Sequence, residues 1–262
     1  SAGRASGMIA REVRFFKIAM QFLTQLPVGS IGECPPDWLA RSAKYMPLVG
    51  VIVGAIAGAA IVLSAAFLPA PLPTVIGIVA AIAITGALHE DGLADTTDAF
   101  GGGRTRERRL EIMRDSRIGT YGTLALISAL ALKGAALVAL TPWNAALVMV
   151  AGHAGARLAA IVTMSRLPHA GGGVAKVSQK ISELTVSEIA VALALGLIPG
   201  FLLLGATTFI AAALFAFAAA SLIALIARRK IAGYTGDVLG AVEQVFEAAF
   251  FVAATALIVG PH

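Results

Sequence analysis

From Met46 onward the chain alternates between apolar runs and short polar links, and each run is close to the roughly twenty residues a helix needs to cross a bilayer core. The pattern predicts seven spans, at 46–68, 71–88, 120–141, 143–164, 188–205, 207–227 and 239–260. Pro69, Pro71 and Pro73 separate the first two, and Thr141-Pro142-Trp143 the next pair. Pro199-Gly200 inside the fifth predicts a kink or a shorter buried helix, and Gly205 is the weakest of the breaks. The segment 11–28 has a different period. Phe15, Ala19, Phe22 and Leu26 share a helical face with Phe16, Met20 and Leu23, while Arg14, Lys17 and Gln21 line the other. That is the pattern of an interfacial helix lying on the membrane, ended by Pro27 and serving mainly as an anchor.

Composition supports this reading. Hydrophobic residues are 58% of 262 and charged residues 13%, against roughly 45–50% and 25% in ordinary soluble domains. The predicted fold class is all-α: a polytopic integral membrane bundle of about seven spans, forming one membrane-embedded domain over 1–262. The single cysteine, Cys34, cannot form an internal disulfide. No cleavable signal is evident at the N-terminus.

Charge then orients the bundle. With the N-terminus inside, all 20 basic residues except Lys133 and Arg157 fall in 1–45, 89–119, 165–187 and 228–238. These are the predicted cytoplasmic segments, as the enrichment of Lys and Arg on that side requires. The net charge of +5 therefore needs no nucleic-acid partner; membrane lipid and an anionic substrate account for it. The expected location is a bacterial inner membrane, with the working face toward the cytoplasm.

Residues 89–122 depart from everything around them, with four Asp and six Arg in what reads as a cytoplasmic catalytic loop. Asp91, Asp95 and Asp98 are spaced i, i+4, i+7, which places three carboxylates on one face of a helix. Such a face repels itself unless a cation sits among the oxygens, and hard oxygen donors suit Mg²⁺ or Mn²⁺. The plainer reading is a solvated acidic helix end. Against it, basic partners four residues away are absent.

Gly101-Gly102-Gly103 is then a bend where backbone N–H groups at Gly102 can meet a phosphate. A short helix follows and stops near Ser116, with Asp115 able to close the metal site from its far side. Arg114 and Arg117 are the candidates for a diphosphate, which guanidinium groups hold through paired hydrogen bonds. His89 is placed either as a base or as the group that orients a carboxylate. Carboxylates, Arg and Gly at a membrane face form the constellation of metal-assisted transfer involving a diphosphate.

Other polar positions are fewer. Asp237 lies just before the last span and is a candidate for metal, guanine or ribose. Glu243 and Glu247 lie i, i+4 on the same apolar helix, where intramembrane carboxylates are costly. Glu243 and Arg157 are candidates for substrate; Glu247 is expected to form a structural pair with Arg157 or Lys133. His153 reads as packing, and Lys176, beyond Gly171-Gly172-Gly173, as a phosphate contact. Abundant Gly and Ala suit close helix packing and are compatible with a homo-oligomer.

Two membrane transferase types fail on spacing. In "DGLAD" no Arg follows Ala94, as the enzymes using CDP-linked alcohol donors require, and only one Asp cluster exists where prenyltransferases have two. A transporter would place its charge near the bilayer midplane within symmetric halves. By contrast "HEDGLADTTDAFGGG", "RLEIMRDSRIGTYG", "GGGVAK", "GYTGDVLGA" and the N-terminal "FLTQLPV" resemble the cobalamin synthase family along nearly the whole chain. The resemblance implies Mg²⁺-dependent joining of adenosylcobinamide-GDP to α-ribazole or its 5′-phosphate, with release of GMP. Asp91, Asp95, Asp98 and Asp115 match the family pattern, whereas Glu90 stands where an apolar residue is usual.

Overall fold

A computed structural model describes residues 2–32, 37–170 and 184–260. It is helical throughout: apart from one isolated bridge between His169 and Tyr234, the described residues contain no strand. Helices α1 (Ala2–Leu23) and α2 (Trp38–Ala43) precede the bundle, followed by α3 (Met46–Ser64), α4 (Leu72–Thr85), α5 (Leu88–Gly102) and α6 (Arg106–Ile112). Next come α7 (Thr120–Val138), α8 (Pro142–Arg166), α9 (Val186–Leu204), α10 (Ala206–Ile231) and α11 (Gly236–Val259).

Six of these, α3 and α7 to α11, are long and apolar enough to cross a membrane. The expected second span differs from the other six. Helix α4 is only 14 residues, and at Gly86 and Ala87, both with left-handed φ, the chain turns by 86° into α5. The acidic stretch expected as a loop is therefore mostly helix, set across the end of α4. The Gly triplet is likewise not an open bend, because Gly101 and Gly102 complete α5 and Gly103 caps it. Pro199 does not shorten the fifth span: α9 runs through it unbroken, and Gly205, at φ 75°, is the one-residue joint to α10.

Helix α8 forms the centre, being the most enclosed of the crossing helices. Its small residues let neighbours come close in a solvent where lipid gives no hydrophobic drive and packing must hold the helices together. Gly50, Gly54 and Gly58 of α3 lie against its backbone; a Cβ added at Gly54 would sit 2.7 Å from the Met149 carbonyl oxygen. Large apolar side chains on α7, α9 and α10, such as Leu124, Leu202 and Leu214, point outward where lipid belongs.

Helix α1 buries Phe15, Ala19, Met20 and Leu23 against the bundle, as its periodicity predicts, and Ile18 in addition. Phe22 is the exception, half exposed and edge-on to Trp38 of α2, with ring centroids 5.7 Å apart.

Because the α3–α8 contact leaves no room for a side chain, Gly54→Leu is expected to cost about 1–3 kcal/mol or more. Thermal unfolding of the detergent-purified variant should show a lowered midpoint, whereas Gly7→Leu, in open space, should not.

Candidate active site

The site is built where α5 crosses the N-terminal end of α11. Gly92 of α5 rests on the Asp237 backbone, so closely that a Cβ added there would lie 2.7 Å from the Asp237 carbonyl oxygen, and Gly240 of α11 answers against His89. Two glycines thus allow backbone-to-backbone approach, which brings the α5 carboxylates beside Asp237. Asp91 is exposed at the rim and Asp95 is half buried one turn on. Asp95 lies within the electrostatic field of Asp91, Asp237, Asp98 and Asp115. Asp237 is steadied by Thr235, whose hydroxyl also caps α11 by accepting the Val238 N–H.

Asp98 has a task that its spacing does not reveal. It is buried, and its two carboxylate oxygens accept the backbone N–H groups of Gly119 at 2.6 Å and Gly122 at 2.9 Å. These N–H groups open α7, whose own N-cap residue, Gly119, has no side chain to satisfy them. Asp98 is thus a cap supplied from another helix. Asp115 is held by Arg117, Oδ2 to Nη2 at 2.6 Å, and this hydrogen-bonded guanidinium pulls the Asp115 carboxyl down to about 2. Among the described residues no three His, Cys, Asp or Glu side chains converge to hold an ion. The four expected metal carboxylates therefore divide: Asp91 and Asp95 lie in the field of Asp237, while Asp98 and Asp115 have backbone and Arg partners.

The basic residues divide in the same way. Arg106 donates to the carbonyls of Ile231 and Ala170, Arg109 to that of Lys230, and Lys230 to that of Phe100. These three bind α5, α6 and the end of α10 into one unit. Arg114 is exposed, as are Arg117 and Gly102. Lys176 lies outside the described residues.

Beneath the acidic helix is a cavity of about 440 Å³. Its walls come from α1, α2, α3, α5, α8 and α11, including Phe22, Trp38, Met46 and Met164, and its polar end presents His89, Asp91, Asp237 and Glu243. The link after α8 is fastened to that before α11 by Tyr234 N–H to the Pro168 carbonyl and Ala170 N–H to the Tyr234 carbonyl, which sets Tyr234 in the wall. The sequence pattern does not mark Phe22, Trp38 and Tyr234 as wall residues. Nothing in their spacing announces a shared cavity, since they lie on three separate elements.

Deeper in the bundle the remaining charges meet. Glu247 takes Lys133 Nζ at 2.6 Å on one oxygen, and Arg157 Nη1 and His153 Nδ1, each at 2.6 Å, on the other. Gln244 accepts from Lys133 and donates to Glu90 at 2.9 Å. Glu243 Oε2 is 3.1 Å from His89 Nε2 and 3.2 Å from Arg157 Nε, ion-pair distances without hydrogen-bond alignment. The expected structural role of Glu247 is what the structure displays. Arg157 is enclosed and does not line the cavity, so it reaches the site only through Glu243. Glu90, the carboxylate that departs from the family pattern, is drawn into this network.

Fold and site together define an integral membrane protein of the helical-bundle type, with a carboxylate-rimmed cavity near one face. The chain belongs to the cobalamin-5-phosphate synthase family, whose model matches residues 15–255. Among curated relatives, an adenosylcobinamide-GDP ribazoletransferase of Leptothrix cholodnii is 38% identical over 93% of this chain and 96% of its own. Proteins of the same description from Bradyrhizobium diazoefficiens and Azorhizobium caulinodans are 40% and 41% identical, over 93% and 89% of this chain and 94% and 92% of theirs. No solved structure matches the chain.

Two outcomes are expected. Glu247→Ala leaves Lys133 buried without a counter-charge and leaves Arg157 only the less well aligned Glu243; it should cost about 3–5 kcal/mol, read as loss of folded protein on size exclusion. Asp98→Ala removes the cap of α7 and should cost about 0.5–2 kcal/mol, read as a lowered unfolding midpoint.

Proposed function

We propose that this family member joins adenosylcobinamide-GDP to α-ribazole, or to its 5′-phosphate, at the cytoplasmic face of a bacterial inner membrane. A ribose hydroxyl oxygen forms the new bond to the cobinamide-side phosphorus. The bond from that phosphorus to the bridging oxygen breaks, GMP leaves with that oxygen, and the hydroxyl proton is lost. The relatives' description as adenosylcobinamide-GDP ribazoletransferases supports this choice of substrates. The observation that carries the site assignment is the placing of Asp91 and Asp237 at the polar end of the cavity, with Asp95 one turn further along α5 in the field of both.

The donor set fits Mg²⁺ in a particular way. Hard carboxylate oxygens are the right chemistry, and Mg²⁺ is commonly held by one or two carboxylates plus substrate phosphates rather than by a protein cage. A rim offering Asp91 and Asp95, with no preformed group of three among the described residues, suits that mode. When bound there, Mg²⁺ would neutralise charge on the diphosphate. Arg114, on the exposed side, is assigned to the diphosphate as well, and Asp237 to metal or ribose. His89, with Glu243 behind it, is assigned to the proton of the attacking hydroxyl.

A transporter reading draws on the buried charges among α7, α8 and α11, since intramembrane charge marks ion pathways in many carriers. Here those charges are mutually paired, and the exposed Asp91 lies at the polar end of the cavity instead.

The test uses purified protein in nanodiscs with adenosylcobinamide-GDP and α-ribazole 5′-phosphate, following GMP. Release should require Mg²⁺ and stop with EDTA. Asp91→Ala and Asp95→Ala should each lose about 100-fold or more in kcat, the scale of removing one group that stabilises transition-state charge. Glu90→Ala, if folded, should stay within about tenfold. No GMP from folded wild-type protein would defeat the assignment and turn attention to transport.

A further inference from the structure

The cavity itself asks for an occupant, and the two substrates differ in what they could place there. We propose that it seats the aromatic base of the ribazole half, with the ribose at the polar end; this rests on the ribazoletransferase reading and assigns one substrate to one subsite. Size is the first argument. At about 440 Å³ the cavity falls within the range of small-molecule sites and matches a fused two-ring base with its sugar. A corrin macrocycle with its amide arms is far too broad to enter.

Wall chemistry is the second. Phe22, Trp38, Met46, Met164 and Tyr234 present ring faces, ring edges and thioether sulfur. Such groups take a flat aromatic ring by stacking, edge and sulfur contacts. The reaction offers three bases: dimethylbenzimidazole, guanine, and the adenine of the adenosyl group, which is tied to the corrin and whose exocyclic amine and ring-nitrogen acceptors suit a carbon-lined wall no better than guanine does. Guanine carries an amide carbonyl, a ring N–H and an exocyclic amine along its edge, and a carbon-lined wall would strip their water without replacing it. Dimethylbenzimidazole has methyl groups along its outer edge and only two ring nitrogens, one of them in the glycosidic bond. The wall accepts dimethylbenzimidazole and rejects guanine.

The polar end sets the direction. Asp91, Asp237 and Glu243 offer carboxylate acceptors, which suit the donor hydroxyls of a ribose, as acidic residues do in dinucleotide sites. They would repel an uncompensated phosphate. A base-in, sugar-out pose therefore lays the ribose hydroxyls along the acidic rim, where the diphosphate of the other substrate is expected. The same repulsion argues against a phospholipid, whose tail would suit the walls but whose phosphate would meet Asp91 and Asp237.

The structure also supplies a reporter. Of the chain's two tryptophans, Trp38 lines the cavity and Trp143 is exposed at the start of α8. Full-length Trp143→Phe protein in nanodiscs, excited at the red edge where benzimidazoles do not absorb, reports on Trp38 alone. Titration with α-ribazole, without the second substrate, should quench Trp38 saturably, and guanosine should neither quench nor compete. Separately, Leu39→Trp narrows the cavity from α2 and should raise KM for α-ribazole by about tenfold or more, with KM for adenosylcobinamide-GDP unchanged.

An enzyme that turns over while Trp38 ignores α-ribazole would overturn the assignment. So would a Leu39→Trp effect confined to adenosylcobinamide-GDP, or quenching by phosphatidylcholine brominated in its acyl chains that α-ribazole cannot displace. Saturable quenching in a protein that forms no GMP would leave the base site standing and count against the transferase reading alone.

Discussion

Everything in this bundle has to accommodate one carboxylate. Glu247 lies deep in a crossing helix, where an ion without partners would be prohibitively costly, and Lys133, Arg157 and His153 supply them from α7 and α8. Satisfying it fixes three helices at one point. Gln244 and Glu243, one turn earlier on α11, extend the same network to Glu90 and His89 at the start of α5. The acidic helix is consequently held by buried polar contacts at its base, while Asp91 and Asp95 remain at the rim. The charges that look most like a transport pathway serve here as the foundation of the site.

That convergence depends on small residues. Helix α8 can be surrounded because α3 presents Gly50, Gly54 and Gly58 to its backbone, and α5 can lie across α11 because Gly92 faces Gly240. Asp98 then ties α5 to the start of α7. Three kinds of interaction act on the same short helix: ionic at its base, backbone contact in its middle, and capping near its end. Each constrains a different degree of freedom, and together they leave α5 little room to shift.

The N-terminal segment has more than one role. Its amphipathic face anchors α1 on the bundle, and Glu12 joins Lys44 at 2.6 Å beside α2. Through Phe22, Leu23 and Trp38 the same segment also closes one wall of the cavity. An element read from its periodicity as an anchor is therefore part of the site as well. Periodicity reports which face of a helix is apolar; it cannot say whether that face meets lipid, protein or a ligand.

The sequence by itself determined the all-helical membrane class, six of the seven expected span positions to within a few residues, the acidic face at Asp91 and Asp95, and the family. These follow from local period, run length and motif order, which need no knowledge of neighbours. Even Glu247 was legible as a structural ion-pair member, because charge in a bilayer must find charge. Only the tertiary structure decided which carboxylates were already engaged. Asp98 has the same spacing as Asp91 and Asp95 yet caps a helix that begins at residue 120, and Asp115 is held by the arginine two positions on. The right-angle turn at Gly86 and Ala87, and a cavity walled by residues from six helices, were equally hidden. Such features arise from contacts between segments distant in sequence, and no local pattern records them.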